Sequence, residues 1–136
     1  ALEGLGAYKI SRNSVIDNLD QLITRAHKLP INYNRNNYVI VGSRSHMSVE
    51  TEQFFDRKKK EHGNVEVMAV GSSLKLCMVA EGKADAYPRY APTMEWDTGA
   101  GHAIAKMAGF SVTQYNTEKE VVYNKEDLLN PWFLVN

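Results

Sequence analysis

The chain has 136 residues, and its 16 Lys and Arg balance 16 Asp and Glu, so the formal net charge at neutral pH is zero. A chain of this length folds as one domain with a sizeable core. The balanced charge argues against a broad nucleic-acid interface or a membrane-surface patch. No apolar run approaches the roughly 20 residues of a transmembrane helix, and the single Cys77 excludes a disulfide scaffold and favours the cytoplasm.

The first part of the chain carries few strong signals. Residues 1–10 predict a turn followed by a short strand. Between Asn13 and Lys28, apolar residues recur at helical spacing until Pro30 ends the pattern, which predicts an amphipathic helix. The polar, Asn-rich residues 32–37 predict a loop.

A strand and a helix are predicted next. The apolar, β-branched run at residues 38–41 predicts a buried strand. Ser48 then caps a predicted helix that ends near His62 and turns Phe54 or the adjacent phenylalanine inward. The basic run at residues 57–60 lies in the last turns, where cations complement the helix dipole, and we expect it to face water.

Two further helices are predicted downstream, each after a turn rich in Gly, Ser or Asp. The first follows Gly71-Ser72-Ser73, and the second begins at Asp97. Strands are predicted around these helices at residues 65–70, 85–89 and 110–115, with a short piece at 121–123 and an edge piece at 134–135. This alternation predicts an α/β fold with a mixed β-sheet flanked by helices.

The loops that follow the predicted strands lie at residues 42–46, 71–73 and 89–97. In open α/β sheets, loops beyond the carboxyl ends of the strands line the ligand crevice, so their side chains are expected to converge. The polar candidates on or beside these loops are Ser43, Arg44, His46, Ser72, Lys75, Arg89 and Asp97. A cationic, hydroxyl-rich set with one carboxylate suits a phosphate ester beside a metal ion.

Lys75 lies in the first turn of an apolar helix, where an exposed cation opposes the helix dipole at a cost of about 0.3–1 kcal/mol. A bound anion would reverse that effect, whereas a lysine that extends to solvent along its stem is the alternative. Ser72 is predicted on the same helix face, either as a second contact to the anion or as a plain N-cap. The residues alone leave these alternatives open.

Asp97 stands at the predicted N-cap of the last helix, ahead of Gly99 and Gly101. Each Gly inside a helix costs about 1 kcal/mol relative to Ala, so the pair indicates a close approach to the backbone. By residue type alone, Asp97 is either a structural cap or a metal ligand.

Several segments between residues 38 and 135 form a recognisable pattern. They are Ser43-Arg44-Ser45-His46, Gly71-Ser72-Ser73-Leu74-Lys75, Ala80-Glu81-Gly82, Tyr87-Pro88-Arg89, Trp96-Asp97-Thr98-Gly99-Ala100-Gly101 and Asn130-Pro131-Trp132-Phe133. The pattern resembles the C-terminal half of bacterial 3'(2'),5'-bisphosphate nucleotidases of the CysQ type. These belong to the inositol monophosphatase-like, Mg²⁺-dependent, lithium-sensitive phosphatases.

The resemblance implies the roles of individual residues. Asp97 would ligate Mg²⁺ and orient the nucleophilic water or the scissile phosphate, which makes it the candidate catalytic residue. The residues implied to hold the nucleotide and its non-scissile phosphate are Arg44, His46, Ser72, Lys75, Arg89 and Asp97. The implied reaction converts 3'-phosphoadenosine 5'-phosphate to AMP and phosphate, as part of sulfur metabolism and nucleotide recycling.

The chain departs from the family pattern in one respect. The family's other metal ligands, a Glu and an Asp-Pro-x-Asp-Gly-Thr segment, belong to its N-terminal half, and the sequence contains no such segment. We therefore expect residues 1–136 to form a single α/β lobe that binds the nucleotide bisphosphate and is inactive alone. The absent N-terminal metal-binding lobe would be its partner, and no nucleic-acid polymer is expected as one.

Three other functions are compatible with parts of the sequence. An inositol monophosphatase or sugar bisphosphatase would share most motifs, but the Ser-Arg-Ser-His segment at 43–46 argues against it. A non-catalytic module that binds nucleotides or phosphate would bind without turnover, and the missing carboxylates favour this for the chain alone. A purely structural domain leaves Lys75 and the Gly-rich turn at Asp97 without a purpose.

Overall fold

A computed structural model of the chain describes residues 1–10, 15–42 and 47–136. Its helices are α1 (Leu19–Arg25), α2 (Val49–His62), α3 (Leu74–Glu81) and α4 (Glu95–Met107). Its strands are β1 (Tyr8–Lys9), β2 (His27–Lys28), β3 (Tyr38–Gly42), β4 (Val65–Ala69), β5 (Tyr87–Arg89), β6 (Val112–Gln114) and β7 (Phe133–Val135). The order β3-α2-β4-α3-β5-α4-β6 confirms the predicted α/β alternation. Among these helices, none combines the length and apolarity that crossing a bilayer requires.

The main sheet is mixed, as predicted. β3 and β4 pair in parallel over five residues, with Tyr38 opposite Val65. A parallel bridge between Ile40 and Ala86 joins β3 to the residue that precedes β5. β7 pairs antiparallel with both β5 and β6, which gives the strand order β4-β3-β5-β7-β6. Because β3, β4 and β5 run in parallel, their carboxyl ends meet at one edge of the sheet.

Apolar side chains cover both faces of this sheet because successive residues of β3 point to opposite sides. Val39 and Val41 pack in a cluster with residues of α3 and α4, whereas Ile40 packs in a cluster with Phe54 and Phe55 of α2. All three β3 side chains are fully or almost fully buried. Burial on this scale stabilises the fold by about 1.5–3 kcal/mol for each large apolar side chain.

Helix α2 agrees with its prediction at both ends. The Ser48 hydroxyl accepts a backbone N–H of the first turn at 3.2 Å, and Gly63 ends the helix. Both candidate phenylalanines, Phe54 and Phe55, are buried. Most of the basic run 57–60 is exposed, as expected for cations near a helix C-terminus.

The predicted helix over residues 13–28 was too long. Its described part is the two-turn helix α1, and His27 and Lys28 instead form β2, which pairs antiparallel with Lys9 and Tyr8. No residue of α1 is buried, and Leu19 is 55 % exposed. The apolar face of α1 is therefore only partly covered by the described residues, since Leu22 and Ile23 are half-buried and line a cavity with residues of the segment 1–10.

The C-terminal strand was predicted at an edge of the sheet, and this was wrong. β7 lies between β5 and β6, with Phe133 opposite both Arg89 and Gln114. The short strand predicted at residues 121–123 is not formed, and the chain there makes one bridge between Thr113 and Glu120. An edge strand and a central strand differ only in which distant strands pair with them, and the local sequence does not specify this pairing.

Gly82 ends α3 in a left-handed conformation, with φ +86° and its N–H bonded to carbonyls of the preceding turn. A Cβ atom at this position would lie 2.5 Å from the carbonyl oxygen of Ile31. A backbone atom cannot move aside as a flexible side chain can. Both the dihedral angle and the neighbouring loop therefore require glycine here.

We expect Gly82→Ala to lower the free energy of unfolding by at least about 1–3 kcal/mol, because it adds backbone strain and a clash with Ile31. Gly109→Ala is the matched control, since Gly109 has φ +94° and a methyl group at this position would meet nothing within 4 Å. Chemical denaturation of both variants measures the difference. Equal losses would show that the Ile31 contact contributes nothing.

Candidate functional site

A cavity of about 450 Å³ opens at the carboxyl ends of β4 and β5. Its walls are the loop at residues 70–73, the first turn of α3, the end of β5 and the first turn of α4. Of the six residues that the resemblance implies to hold the nucleotide, four line it, namely Ser72, Lys75, Arg89 and Asp97. The other two, Arg44 and His46, lie outside the described residues. The structure thus brings the described candidates together, while their roles stay predictions.

Lys75 does not extend to solvent, which removes one of the two alternatives for this residue. Its side chain is buried, and the ammonium group donates to the carbonyl oxygens of Val70 at 2.9 Å and Ser72 at 3.1 Å. The same group lies 5.4 Å from the centre of the Tyr87 ring. Lys75 therefore holds the loop at residues 70–72 against β5 and places a positive charge in the cavity wall.

The electrostatic surroundings of Lys75 favour an anion. Burial lowers the pKa of Lys75, and the positive charge of Arg89 lowers it further. Both effects disfavour the charged ammonium. An anion bound between the two cations would oppose both effects and raise the pKa of Lys75 again.

Ser72 is positioned differently from its prediction. It precedes α3 and has φ +58°, so it does not share a helix face with Lys75. Ser73 occupies the N-cap position, but its side chain makes no capping hydrogen bond. The two exposed hydroxyls lie 3.5 Å apart at the cavity. The polar groups of this loop therefore do not act as a plain N-cap.

Arg89 lies at the end of β5, half-buried beside the cavity. Its Nη2 atom donates to the carbonyl of Pro92 at 2.9 Å. Its Nε atom is buried and has no hydrogen-bond partner among the described residues. A guanidinium group anchored at one nitrogen retains donors for a planar, bidentate contact with a phosphate.

Asp97 was predicted as the N-cap of the last helix, and this was wrong. α4 begins at Glu95 with Met94 as the N-cap, which places Asp97 two residues further into the first turn. Its Oδ2 atom accepts the Met94 N–H at 2.9 Å. The carboxylate is exposed at the cavity, where the positive end of the helix dipole favours it.

The close approach predicted at Gly99 and Gly101 is between protein groups. A Cβ atom at Gly101 would lie 2.9 Å from the Cβ and Cδ1 atoms of Leu76 in α3. A Cβ atom at Gly99 would make only ordinary contact, at 3.6 Å, with the Tyr123 ring. Gly101 thus lets α3 and α4 pack closely, and this packing brings Lys75 and Asp97 to one cavity.

Sequence reasoning missed the groups that support the first turn of α4. Buried Asn130 donates through Nδ2 to the Met94 carbonyl at 2.8 Å and to the Thr98 hydroxyl at 2.9 Å. The Glu95 carboxylate accepts the Asn124 N–H at 2.6 Å and pairs with the ammonium group of Lys125. These interactions, led by the Lys125 hydrogen bond, lower the pKa of Glu95. The Asn130-Pro131 segment was the available signal, but only as part of the resemblance.

His102 is a second buried polar group that sequence reasoning left without a role. Its Nε2 lies 3.0 Å from the Glu120 carboxylate, and its Nδ1 lies 2.9 Å from the Tyr123 hydroxyl. Lys106 also contacts the Glu120 carboxylate, at 2.6 Å. Burial lowers the pKa of His102, and Glu120 only partly opposes this. The neutral imidazole is therefore the favoured form in the folded chain.

Comparison with known proteins identifies the family to which the chain belongs. The sequence model of the inositol monophosphatase family matches residues 3–132 of the chain. The chain belongs to the inositol monophosphatase family.

Relatives within this family are similar over much of the chain. The 3'(2'),5'-bisphosphate nucleotidase CysQ of Escherichia coli (strain K12) is 41% identical over 98 residues, which cover 72% of this chain and 38% of that protein. The crystal structure of CysQ from Bacteroides thetaiotaomicron superposes on the whole chain with a TM-score of 0.89 at 52% identity. The chain covers 52% of that structure, so it spans about half the length of this relative.

A more distant solved structure shows the fold alone. Mycobacterium tuberculosis SuhB has a TM-score of 0.56 and 24% sequence identity. The match covers 99% of this chain and 46% of SuhB. The mixed sheet with flanking helices is therefore shared beyond recognisable sequence similarity.

Inositol monophosphatase family members are generally metal-dependent. Within residues 1–10, 15–42 and 47–136, no group of three or more His, Cys, Asp or Glu side chains could hold a metal ion. Asp97 nevertheless fits as one ligand, because it is a hard oxygen donor on the cavity. Mg²⁺ sites often use one or two carboxylates with water and substrate phosphate oxygens. Asp97 could therefore supply part of such a coordination shell.

The burial of His102 predicts a pH dependence for this member of the inositol monophosphatase family. The folded-state pKa of His102 lies below the ordinary value of 6.5, so the unfolded chain binds more protons as the pH falls through this value. We expect the free energy of unfolding to decrease as the pH falls from 7.5 to 5.0. His102→Gln should flatten this dependence.

Urea denaturation across this pH range measures the effect, with His27→Gln, which replaces an exposed histidine, as the control. An unchanged slope in His102→Gln would contradict the assignment to His102.

Proposed function

We propose that the chain is the substrate-binding lobe of a Mg²⁺-dependent phosphatase. The reaction removes the 3'-phosphate of 3'-phosphoadenosine 5'-phosphate and yields AMP and phosphate. The observation that carries this proposal is the convergence of Ser72, Lys75, Arg89 and Asp97 on one cavity. We place the reaction in the cytoplasm, which agrees with the single, unpaired Cys77.

The charges of the cavity support a phosphate ligand. Lys75 and Arg89 place two cations in its walls, and burial of the Lys75 side chain strengthens the attraction of its charge. The Arg89 side chain retains donors beyond the one bonded to Pro92. A phosphate group between the two side chains would accept hydrogen bonds from those N–H groups of Lys75 and Arg89 that do not already bond to backbone carbonyls.

Relatives support the choice of substrate. The E. coli protein at 41% identity is named a 3'(2'),5'-bisphosphate nucleotidase, and the B. thetaiotaomicron structure at 52% identity carries the same protein name, CysQ. The chain spans only part of each of these relatives. The distant SuhB structure does not bear on substrate choice.

The hydrolysis transfers a phosphoryl group to water. The bond between phosphorus and the 3'-oxygen breaks, the water oxygen bonds to phosphorus, and the leaving 3'-oxygen takes a proton to become a hydroxyl group. A bound Mg²⁺ would neutralise phosphate charge and lower the pKa of the attacking water. Lys75, Arg89 and Ser72 hold and orient the non-scissile phosphate and the nucleotide. The Asp97 carboxylate would supply one ligand to that metal ion.

The described part of the chain offers one carboxylate at the cavity where such a reaction needs a fuller set of ligands. We propose that the remaining metal ligands come from an N-terminal lobe outside residues 1–136. Arg44 and His46 remain proposed contacts to the nucleotide. On this proposal the 136-residue chain binds the bisphosphate but does not turn it over.

We expect 3'-phosphoadenosine 5'-phosphate to bind the chain more tightly than AMP, because the second phosphate adds charge in a cationic cavity. Lys75→Gln should weaken binding about ten-fold or more, since a hydrogen bond to a charged group contributes about 1.5–3 kcal/mol. Isothermal titration of both ligands, with and without Mg²⁺, measures this. Glutamine retains donors for the loop carbonyls, so the variant removes mainly the charge.

Lys60→Ala is the matched control, because it removes an exposed cation from α2. Thermal melting confirms that each variant is folded. Equal binding by Lys75→Gln and the original chain would place the phosphate elsewhere. Binding of neither ligand, or release of phosphate by the original chain, would contradict the proposed division between binding and turnover.

A further inference from the structure

The first turn of α4 is held from outside by the segment at residues 120–130. The Glu95 N–H donates to the Leu128 carbonyl at 3.0 Å. The Glu95 carboxylate accepts backbone N–H groups of Asn124 and Lys125 from the same segment. The turn that carries Asp97 is therefore attached to a distant part of the chain at several points.

Asn130 makes the contacts that bracket Asp97. Its side chain is 4 % exposed, and its Nδ2 atom lies 2.8 Å from the Met94 carbonyl oxygen and 2.9 Å from the Thr98 hydroxyl. A third oxygen, the Thr93 hydroxyl, lies at 3.2 Å, and the Asn130 backbone N–H donates to the Thr93 carbonyl at 2.8 Å. Residues on both sides of Asp97 are thus bonded to one amide.

The Asp97 carboxylate is linked to the same residue that Asn130 holds. Its Oδ2 atom accepts the Met94 N–H, while the Met94 carbonyl accepts from Asn130. Asn130 is not among the residues that line the described part of the cavity, whereas Thr93, Asp97 and Thr98 are. Any effect of Asn130 on a ligand must therefore act through the turn.

We propose that Asn130 is a positioning residue that fixes the Asp97 carboxylate at the cavity. The inference rests on the proposed role of Asp97 in binding a metal. The side chain must donate to Met94, because a carbonyl oxygen can only accept, and the Thr98 hydroxyl that also lies at Nδ2 already donates to the Glu95 carbonyl. Its Oδ1 atom is buried without a hydrogen-bond partner among the described residues, so the amide acts through Nδ2. A carboxylate of the same shape has no donor for the Met94 carbonyl oxygen and would repel it.

The test compares Asn130→Asp with the original chain by NMR. Hydrogen exchange of the Met94 amide, measured without ligand, reports the hydrogen bond to Asp97. We expect it to accelerate at least ten-fold in Asn130→Asp. Broadening of the Asp97 carboxyl resonance by Mn²⁺ should become weaker, while AMP, which is held by Lys75 and Arg89, should bind within two-fold of the original affinity.

Phe54→Leu is the control for general loss of stability. Phe54 belongs to α2 and is buried in the cluster on the other face of the sheet. Thr98→Val is a second variant that removes one acceptor of Asn130 at similar volume, and we expect a smaller change in the same direction. It keeps the question answerable if Asn130→Asp does not fold.

Exchange of the Met94 amide no faster in Asn130→Asp and Thr98→Val than in Phe54→Leu would overturn the positioning role. A lack of Mn²⁺ broadening in the original chain would overturn the metal-binding role of Asp97 in the proposed function. In that case the exchange rates still decide whether Asn130 holds the turn, so the two failures are distinguishable.

Discussion

The cavity depends on the close packing of α3 against α4. Glycine at position 101 removes the side chain that would otherwise lie within 3 Å of Leu76, so the second turn of α4 packs closely on the first turn of α3. The same packing brings Lys75 close to α4, because Lys75 is the neighbour of Leu76 on α3. Cationic and acidic groups separated by more than 20 residues are thereby placed on one surface, which local helix geometry alone would not achieve.

Buried polar contacts then fix what the helix packing brings together. The Lys75 ammonium bonds to the carbonyls of Val70 and Ser72, and Asn130 bonds to the turn around Asp97. Unpaired polar groups in such places are costly, so these contacts define a narrow set of conformations. The site is consequently arranged before a ligand arrives, which lowers the ordering cost of binding.

The order of strands and helices could be predicted because it depends on local patterns. The run at residues 38–41, the Ser48 cap and the turn before Lys75 are all short-range signals, and the structure confirms the elements that they predict. One helix start was predicted wrongly. The helix predicted to begin at Asp97 begins at Glu95, because Asp97 caps the Met94 N–H from inside the first turn instead of preceding it.

The features that sequence reasoning missed depend on contacts between distant residues. Asn130 lies 36 residues from Met94, and β7 becomes central only when β5 and β6 pair with its two edges. The apolar spacing predicted an amphipathic helix, but none of the residues of α1 is buried among the described residues. Residue type and spacing therefore predicted four residues that meet at one cavity, but not the groups that support them.

An NMR titration of the chain with 3'-phosphoadenosine 5'-phosphate, which follows backbone amides and the Lys75 ammonium, tests most directly whether this cavity binds the nucleotide. Binding in the cavity predicts that the largest shifts occur at residues 70–75, 89 and 93–98, together with a raised pKa of Lys75. Shifts concentrated instead around Arg57, Tyr90 and Tyr115, which line a separate cavity of about 520 Å³, would contradict that assignment.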